Sequence, residues 1–221
     1  MSHSLFRAAS ASLAAATLGA ALTACAPLVI GGGALVGTLM ATDRRTAGTQ
    51  VEDEGIELRA ASRLRETLPG EAHVNVTSYN RQVLLTGEVP TAEARQKAEE
   101  VVRGVENVAS TVNELAVMAP TSLSQRSGDT FITGKVRASL VDARDLTATA
   151  FKVVTERNVV YLMGRVTQRE ATRAAEIARG VSGVHKVVRV FELVSEEELA
   201  RQPAQPATVT QDPAATRPPA R

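Results

Sequence analysis

Cys25 is the single cysteine among 221 residues, and it directly follows Leu22, Thr23 and Ala24 at the end of a short apolar run. A thiolate is the nucleophile that takes up a diacylglyceryl group, and the small residue before it lets a peptidase free the new amino terminus. The spacing assigns Cys25 to lipid attachment. His3 and Arg7 give a weakly basic start, and the Ala/Leu-rich stretch from Ala8 to Leu22 is shorter than the ~20 apolar residues that span a bilayer, so it reads as a cleaved leader. The competing reading is an ordinary secretory leader with an incidental cysteine. A lone thiol has no partner for an intrachain disulfide, which together with the four-residue match favours lipidation. One acyl chain holds only reversibly, whereas the two or three of a mature bacterial lipoprotein hold stably. Ala26, where an Asp would favour retention at the inner membrane, points to the outer one.

No catalytic constellation accompanies the anchor. His73 and His185, the histidines beyond the leader, each sit alone in sequence at a strand edge or turn, without metalloprotease spacing or a nearby cysteine. Serines and threonines lack a nucleophile elbow or a neighbouring base. Gly31, Gly32 and Gly33 form no phosphate loop, since no Lys-Ser/Thr follows at the required spacing. The expectation is a protein without enzymatic activity, metal or cofactor.

Charge and composition narrow the partners. Lys and Arg number 25 against 24 Asp and Glu, and loss of Arg7 with the leader makes the balance 24 to 24, so no bulk field attracts nucleic acid. Aromatics are 3% and Trp is absent, leaving few rings for base stacking. From Pro27 to Ala41 the chain is rich in Gly and Ala and too glycine-broken for a spanning helix. Two readings stay open for it, a tether lying at the membrane surface and a flexible spacer. From Gln202 to Arg221 five prolines stand among Ala, Thr and Gln, the composition of a disordered tail.

Between these ends the chain repeats itself. Val74, Val76, Val83, Leu85, Gly87 and Val89 match Phe151, Val153, Val160, Leu162, Gly164 and Val166 at an offset of 77. After the extra residue Pro90 the offset is 76, and Thr91, Glu100, Arg103, Gly104, Val105 and Val108 match Thr167, Glu176, Arg179, Gly180, Val181 and Val184. Two copies are too few for a solenoid, so each is expected to be a small domain with its own core. In each copy an apolar four-residue period (Ile56, Ala60, Leu64; Ile132, Val136, Leu140) predicts a helix, the second one capped by Asp129. Alternating runs on either side of polar turns at Asn80 and Asn158 predict hairpins. A second helix runs from Thr91 or Thr167 to a glycine at C′, Gly104 or Gly180. A last strand ends in Leu115 and Val117, or in Phe191 and Leu193. The class is α+β, each domain αββαβ with helices on one face of a three-stranded mixed sheet. The expected boundaries are a leader over 1–24, a tether over 25–50, domains over 51–118 and 129–194 with a linker over 119–128 between them, and a tail over 195–221.

The first helix of the second copy carries the candidate site. At 100° per residue Ile132, Val136, Ser139 and Leu140 share one face, while Thr130, Gly134, Arg137 and Val141 lie opposite with Phe131 and Ala138 on the flank. Two large apolar residues thus face away from the core. Lys135 on the border and Arg137 on the outer face could reach phosphates while their stems lie along apolar surface. Two occupants stay open for Phe131 and Val141, an anionic bilayer surface or the first domain and its linker. The first copy has Gly55 and Arg65 at the matching positions, so it is expected to lack the patch.

A helix, a hairpin whose second strand reads Val-x-Leu-x-Gly-x-Val, and a helix ending in Gly-Val resemble the BON domain, over about Val51 to Val117 and Asp129 to Val194. With the lipid-attachment site, the tether, Thr42-Asp43 through Gly48-Thr49-Gln50-Val51 and the run Asp129 to Arg137, the chain is similar to outer-membrane lipoproteins that carry two BON domains. The resemblance makes Gly87 and Gly164 the signature glycines, whose role is read as close approach of a helix to the strand. It implies a non-enzymatic module that binds anionic phospholipid through the first helix of the second domain, faces the periplasm, supports envelope integrity and gathers at division sites. Phe131 stands where that group carries tryptophan. The alternative is a periplasmic adaptor for envelope assembly or cell-wall amidase control, docking a protein on the same patch or a sheet edge.

Overall fold

A computed structural model describes residues 43–201; Cys25, the leader, the Gly/Ala-rich tether and the Pro-rich tail from Gln202 onward lie outside them. The element order is α1 (Ala47–Thr67), β1 (His73–Tyr79), β2 (Gln82–Val89), α2 (Ala92–Arg103), β3 (Ser110–Asn113), β4 (Ala116–Val117), α3 (Leu123–Asp142), a 3-10 turn (Ala148–Ala150), β5 (Phe151–Glu156), β6 (Val159–Val166), α4 (Gln168–Arg179), β7 (Lys186–Leu193) and α5 (Glu196–Ala200). In each copy a hairpin runs antiparallel and its second strand pairs in parallel with the last strand, which the α2 or α4 crossover makes necessary. The second sheet has three strands, in the order β5-β6-β7. In the first, the last strand is broken in two: the Asn113 side chain accepts the Leu115 N–H at 3.2 Å, Leu115 turns inward, and β4 resumes pairing with β2.

Each sheet covers its own helices with a separate core. Ile56, Ala60 and Leu64 of α1 and Ala94, Ala98 and Val102 of α2 pack on Val83, Leu85 and Val89. Ile132, Val136, Leu140, Ala174 and Ala178 pack on Val153, Val160, Leu162 and Val166 in the second copy. The other faces of the two sheets meet. Tyr79 and Leu84 of the first and Tyr161, Met163 and Val190 of the second form a third buried cluster, extended by Val112, Val154 and Val188. The molecule is therefore a helix-sheet-sheet-helix stack, and this seam explains why β2 and β6 are buried along both faces, β2 with Thr86 and Glu88 on the seam side.

Polar contacts cross the seam as well. Lys152 donates to Glu57 at 2.6 Å and to the Ser78 carbonyl at 3.0 Å. Arg157 pairs with the fully buried Glu88 at 2.8 Å. Arg44, just before α1, donates two hydrogen bonds to Glu170 at the start of α4, at 2.7 and 2.8 Å, and this partner holds the Glu170 carboxyl below its ordinary range.

Several helix ends differ from the sequence reading. Asp129 is not an N-cap: α3 starts six residues before it, at Leu123, under a Ser122–Gln125 capping box. Asp129 lies in mid-helix, buried, where its carboxylate accepts the Arg157 and Asn158 amides at 2.9 and 2.8 Å. Both hairpin turns have two consecutive left-handed residues, Asn80 and Arg81 (φ 51° and 66°) and Arg157 and Asn158 (φ 50° and 60°), the twist that suits a two-residue hairpin. Their amides converge inward, and Asp129, like Asp53 in the first copy, is their acceptor. Gly104 and Gly180 do end α2 and α4, but with φ of −83° and −73°, not in the left-handed C′ geometry. The chain turns left-handed three residues later, at Asn107 (φ 68°) and Gly183 (φ 97°). Residues 196–200, within the bounds expected for the tail, form α5, capped by Ser195, in keeping with the acidic run Glu196 to Glu198 read as a solvated helix.

Candidate functional site

The outer face of α3 carries the candidate site. Burying Asp129, Ile132, Val136 and Leu140 against β5 and α4 fixes the rotation of the helix, so the residues some 180° away must face out. Phe131 is 69% and Val141 68% exposed, with Gly134 and Ala138 exposed between them. The first domain and its linker therefore do not cover this pair. Because α3 begins early, Leu123, 79% exposed in its first turn, joins the same stripe. The sequence reading missed Leu123 by starting the helix at Asp129; the Ser122-x-x-Gln125 spacing was the signal available. From Leu123 to Val141 the stripe is about 27 Å long. Its line of Leu123, Ser127, Phe131, Gly134, Ala138 and Val141 holds no charged side chain.

Cations flank the stripe. Arg126 and Arg137 lie along one edge, with Arg137 donating to the Val153 carbonyl at 3.3 Å. On the other edge Lys135 places its ammonium 5.1 Å from the Phe131 ring centroid and donates to the Ser182 carbonyl. A cation over the ring face orients Phe131 outward. Beside Arg137 and Val141 a cavity of about 150 Å³ opens onto Leu140, Ala148, Phe151 and Val153.

The first copy differs from it more subtly than expected. Gly55 and Arg65 do occupy the positions of Phe131 and Val141, and Arg65 is exposed. Yet α1 exposes Val51 (69%) and Leu58 (73%) one above the other, with the exposed carboxylate of Glu54 between them. Its outer face is therefore apolar in patches but interrupted by negative charge, where the line from Leu123 to Val141 on α3 holds no charged side chain and is edged by cations.

Gly87 and Gly164 lie away from this face, and the close approach they permit is not by a helix. A Cβ on Gly87 would stand 2.1 Å from the His73 carbonyl oxygen, and one on Gly164 2.4 Å from that of Ala150. In each hairpin the glycine makes room for the backbone opposite. His73 is not alone either: its Nδ1 lies 3.1 Å from a Glu88 carboxylate oxygen, and Glu156 approaches both from the second domain. Those three residues are far apart in sequence, so only the strand register and the seam bring them together.

No described helix is long and apolar enough to cross a membrane. The BON domain profile matches residues 52–119 and again 128–195. The chain is 42% identical over 173 residues to the outer membrane lipoprotein DolP of Haemophilus influenzae, covering 77% of this chain and 89% of that protein. It is 40% identical over 154 residues to a 21 kDa hemolysin of Actinobacillus pleuropneumoniae, covering 69% and 79% respectively. With the αββαβ order found twice and the family profile matched across both copies, the chain belongs to the BON-domain family and carries two BON domains.

Proposed function

We propose that the protein is a non-enzymatic outer-membrane lipoprotein, anchored through Cys25 and facing the periplasm, that docks the outer face of α3 on anionic phospholipid and supports envelope integrity. The observation that carries this reading is the uncharged stripe with Leu123, Phe131 and Val141 exposed and Arg126 and Arg137 along its edge. Apolar side chains insert at the headgroup boundary while flanking cations meet phosphates. The relative named as an outer membrane lipoprotein supports the location.

Vesicle flotation of the chain from Ala26 onward, with and without anionic lipid, tests the surface. Phe131→Glu and Val141→Glu are each expected to abolish binding and leave the circular dichroism spectrum unchanged, since both side chains point to solvent. Arg137→Ala should weaken binding mildly, by about 1 kcal/mol, with the loss shrinking as salt rises. Phe131→Trp should strengthen it, because indole favours the interface. Vesicle binding by both Glu variants equal to the parent would sink the lipid reading and leave the protein-docking adaptor in its place.

The anchor has its own test. Cys25→Ser is expected to remain unprocessed and unlabelled by radioactive palmitate, because a hydroxyl does not replace the thiolate. Palmitate incorporation by the serine variant would overturn the assignment.

A further inference from the structure

The seam between the two BON domains holds a cluster that the lipid-facing stripe does not use. His73 opens β1, Glu88 lies opposite it in β2, and Glu156 ends β5 of the other domain. One imidazole nitrogen and one oxygen from each carboxylate lie within 4.8 Å of one another. Both carboxylates are buried, and the His73 side chain is 23% exposed at the wall of a cavity of about 360 Å³. The two oxygens of Glu88 are held differently. Oε1 takes the Arg157 guanidinium at 2.8 Å, whereas Oε2 has three longer contacts, from His73 Nδ1 at 3.1 Å and from the Thr121 N–H and hydroxyl at 3.2 and 3.3 Å. Two residues before Glu88, on the same face of β2, the Thr86 hydroxyl is fully buried and has no hydrogen-bond partner among the described residues. Asn75, opposite Thr86, already bonds Glu156 at 2.8 Å. A buried hydroxyl is normally satisfied, so Thr86 leaves an open hydrogen-bonding group in this layer.

We propose that His73, Glu88 and Glu156 form a divalent transition-metal site that joins the two BON domains. The donors suit a borderline ion such as Zn²⁺, one imidazole nitrogen with two carboxylate oxygens. The separation of 3.1 Å between Nδ1 and Oε2 is what two ligands about 2.1 Å from a shared ion would show, since ligand edges in tetrahedral and octahedral sites run about 3.0 to 3.4 Å. Arg157 stays on Oε1, leaving Oε2 to the ion. The cavity, which His73 and Glu156 both line, admits the waters that complete the coordination. Because Glu156 comes from the second domain and the other two ligands from the first, the ion would brace the seam.

Isothermal titration of Zn²⁺ into the chain from Ala26 onward, which lacks the Cys25 thiol and keeps both domains, decides it. One Zn²⁺ per chain is expected to bind and to raise the thermal midpoint. Glu156→Gln, close in shape to the parent, should weaken binding at least tenfold and remove the Zn²⁺-dependent rise, while His185→Ala, which removes the other histidine and none of the three ligands, leaves both unchanged. His73→Ala should match Glu156→Gln, and if it does not fold, Glu156→Gln decides alone. Absence of Zn²⁺ binding, a loss below tenfold in Glu156→Gln, or a loss in His185→Ala would overturn the proposal.

Discussion

Gly87→Val is expected to yield no folded first domain, visible as loss of soluble protein or a collapse of the thermal midpoint measured by circular dichroism on the two-domain chain. The backbone at Gly87 has φ +112°, where a β-branched residue is strained, and the added Cβ would sit 2.1 Å from the His73 carbonyl oxygen. That oxygen cannot swing aside, because it belongs to the first residue of β1, paired in register with Glu88. Relief requires parting the hairpin strands, which also disturbs the His73–Glu88 contact and the core beneath β2. A cost of about 4 kcal/mol or more belongs to this kind of defect and is a large share of a typical domain's stability. Gly164→Val should act similarly on the second hairpin, since its Cβ would meet the Ala150 oxygen at 2.4 Å. Gly134 supplies the contrast. No atom lies within 4 Å of its added Cβ, so Gly134→Ala should stabilise α3 by roughly 0.5 to 1 kcal/mol through helix propensity. Unchanged midpoints in Gly87→Val would mean the hairpin is not built as described.

Much of this architecture was written in local pattern. The duplication, the glycines that end α2 and α4, the polar turns at Asn80 and Asn158 and the outward placement of Phe131 and Val141 all follow from spacing within a few turns of chain. What escaped depends on partners distant in sequence. The buried seam was hidden because Leu84, Tyr161 and Met163 read equally well as a one-sided sheet with apolar outliers. Only the second sheet facing them accounts for their burial. His73 looked solitary for the same reason, since Glu88 is fifteen residues away and Glu156 belongs to the other copy. Asp129 misled in a different way. An aspartate before an apolar period is a common N-cap, and nothing local says that its carboxylate turns inward to a hairpin 28 residues on.

That inward-facing carboxylate gives the second large effect, and the two copies should respond unequally to its loss. Asp53→Ala removes an acceptor of four hydrogen bonds: the Ser78 hydroxyl and the Arg81 N–H at 2.7 Å, the Asn80 N–H at 2.8 Å and the Arg45 guanidinium at 2.9 Å. The two amides belong to left-handed residues in a tight turn and have no other strand to pair with, so their desolvation is left uncompensated. Arg45 keeps Asp43 at 2.8 Å and its place over the Tyr79 ring, yet loses its buried counter-charge. Breaking a buried charged network from one side costs about 3 to 5 kcal/mol. Asp129→Ala removes an acceptor of two amides and no cation, so about 2 to 3 kcal/mol is expected. Acid should expose the contribution of Asp53. Burial pushes the Asp53 carboxyl up, but the bonds from Ser78, Arg81, Arg45 and Asn80 outweigh it and hold the group below its ordinary range. A depressed folded value means stability that is present above the unfolded value of about 3.9 and is lost as pH falls through the folded one. The parent should therefore lose stability in that acid window, and Asp53→Ala, already without the carboxylate, should lose less of it. Denaturant midpoints at neutral pH and in acid measure both effects. Equal costs for the two aspartates would show that the turn amides and not Arg45 account for all of the effect, and the same acid slope in parent and Asp53→Ala would overturn the depressed Asp53 carboxyl.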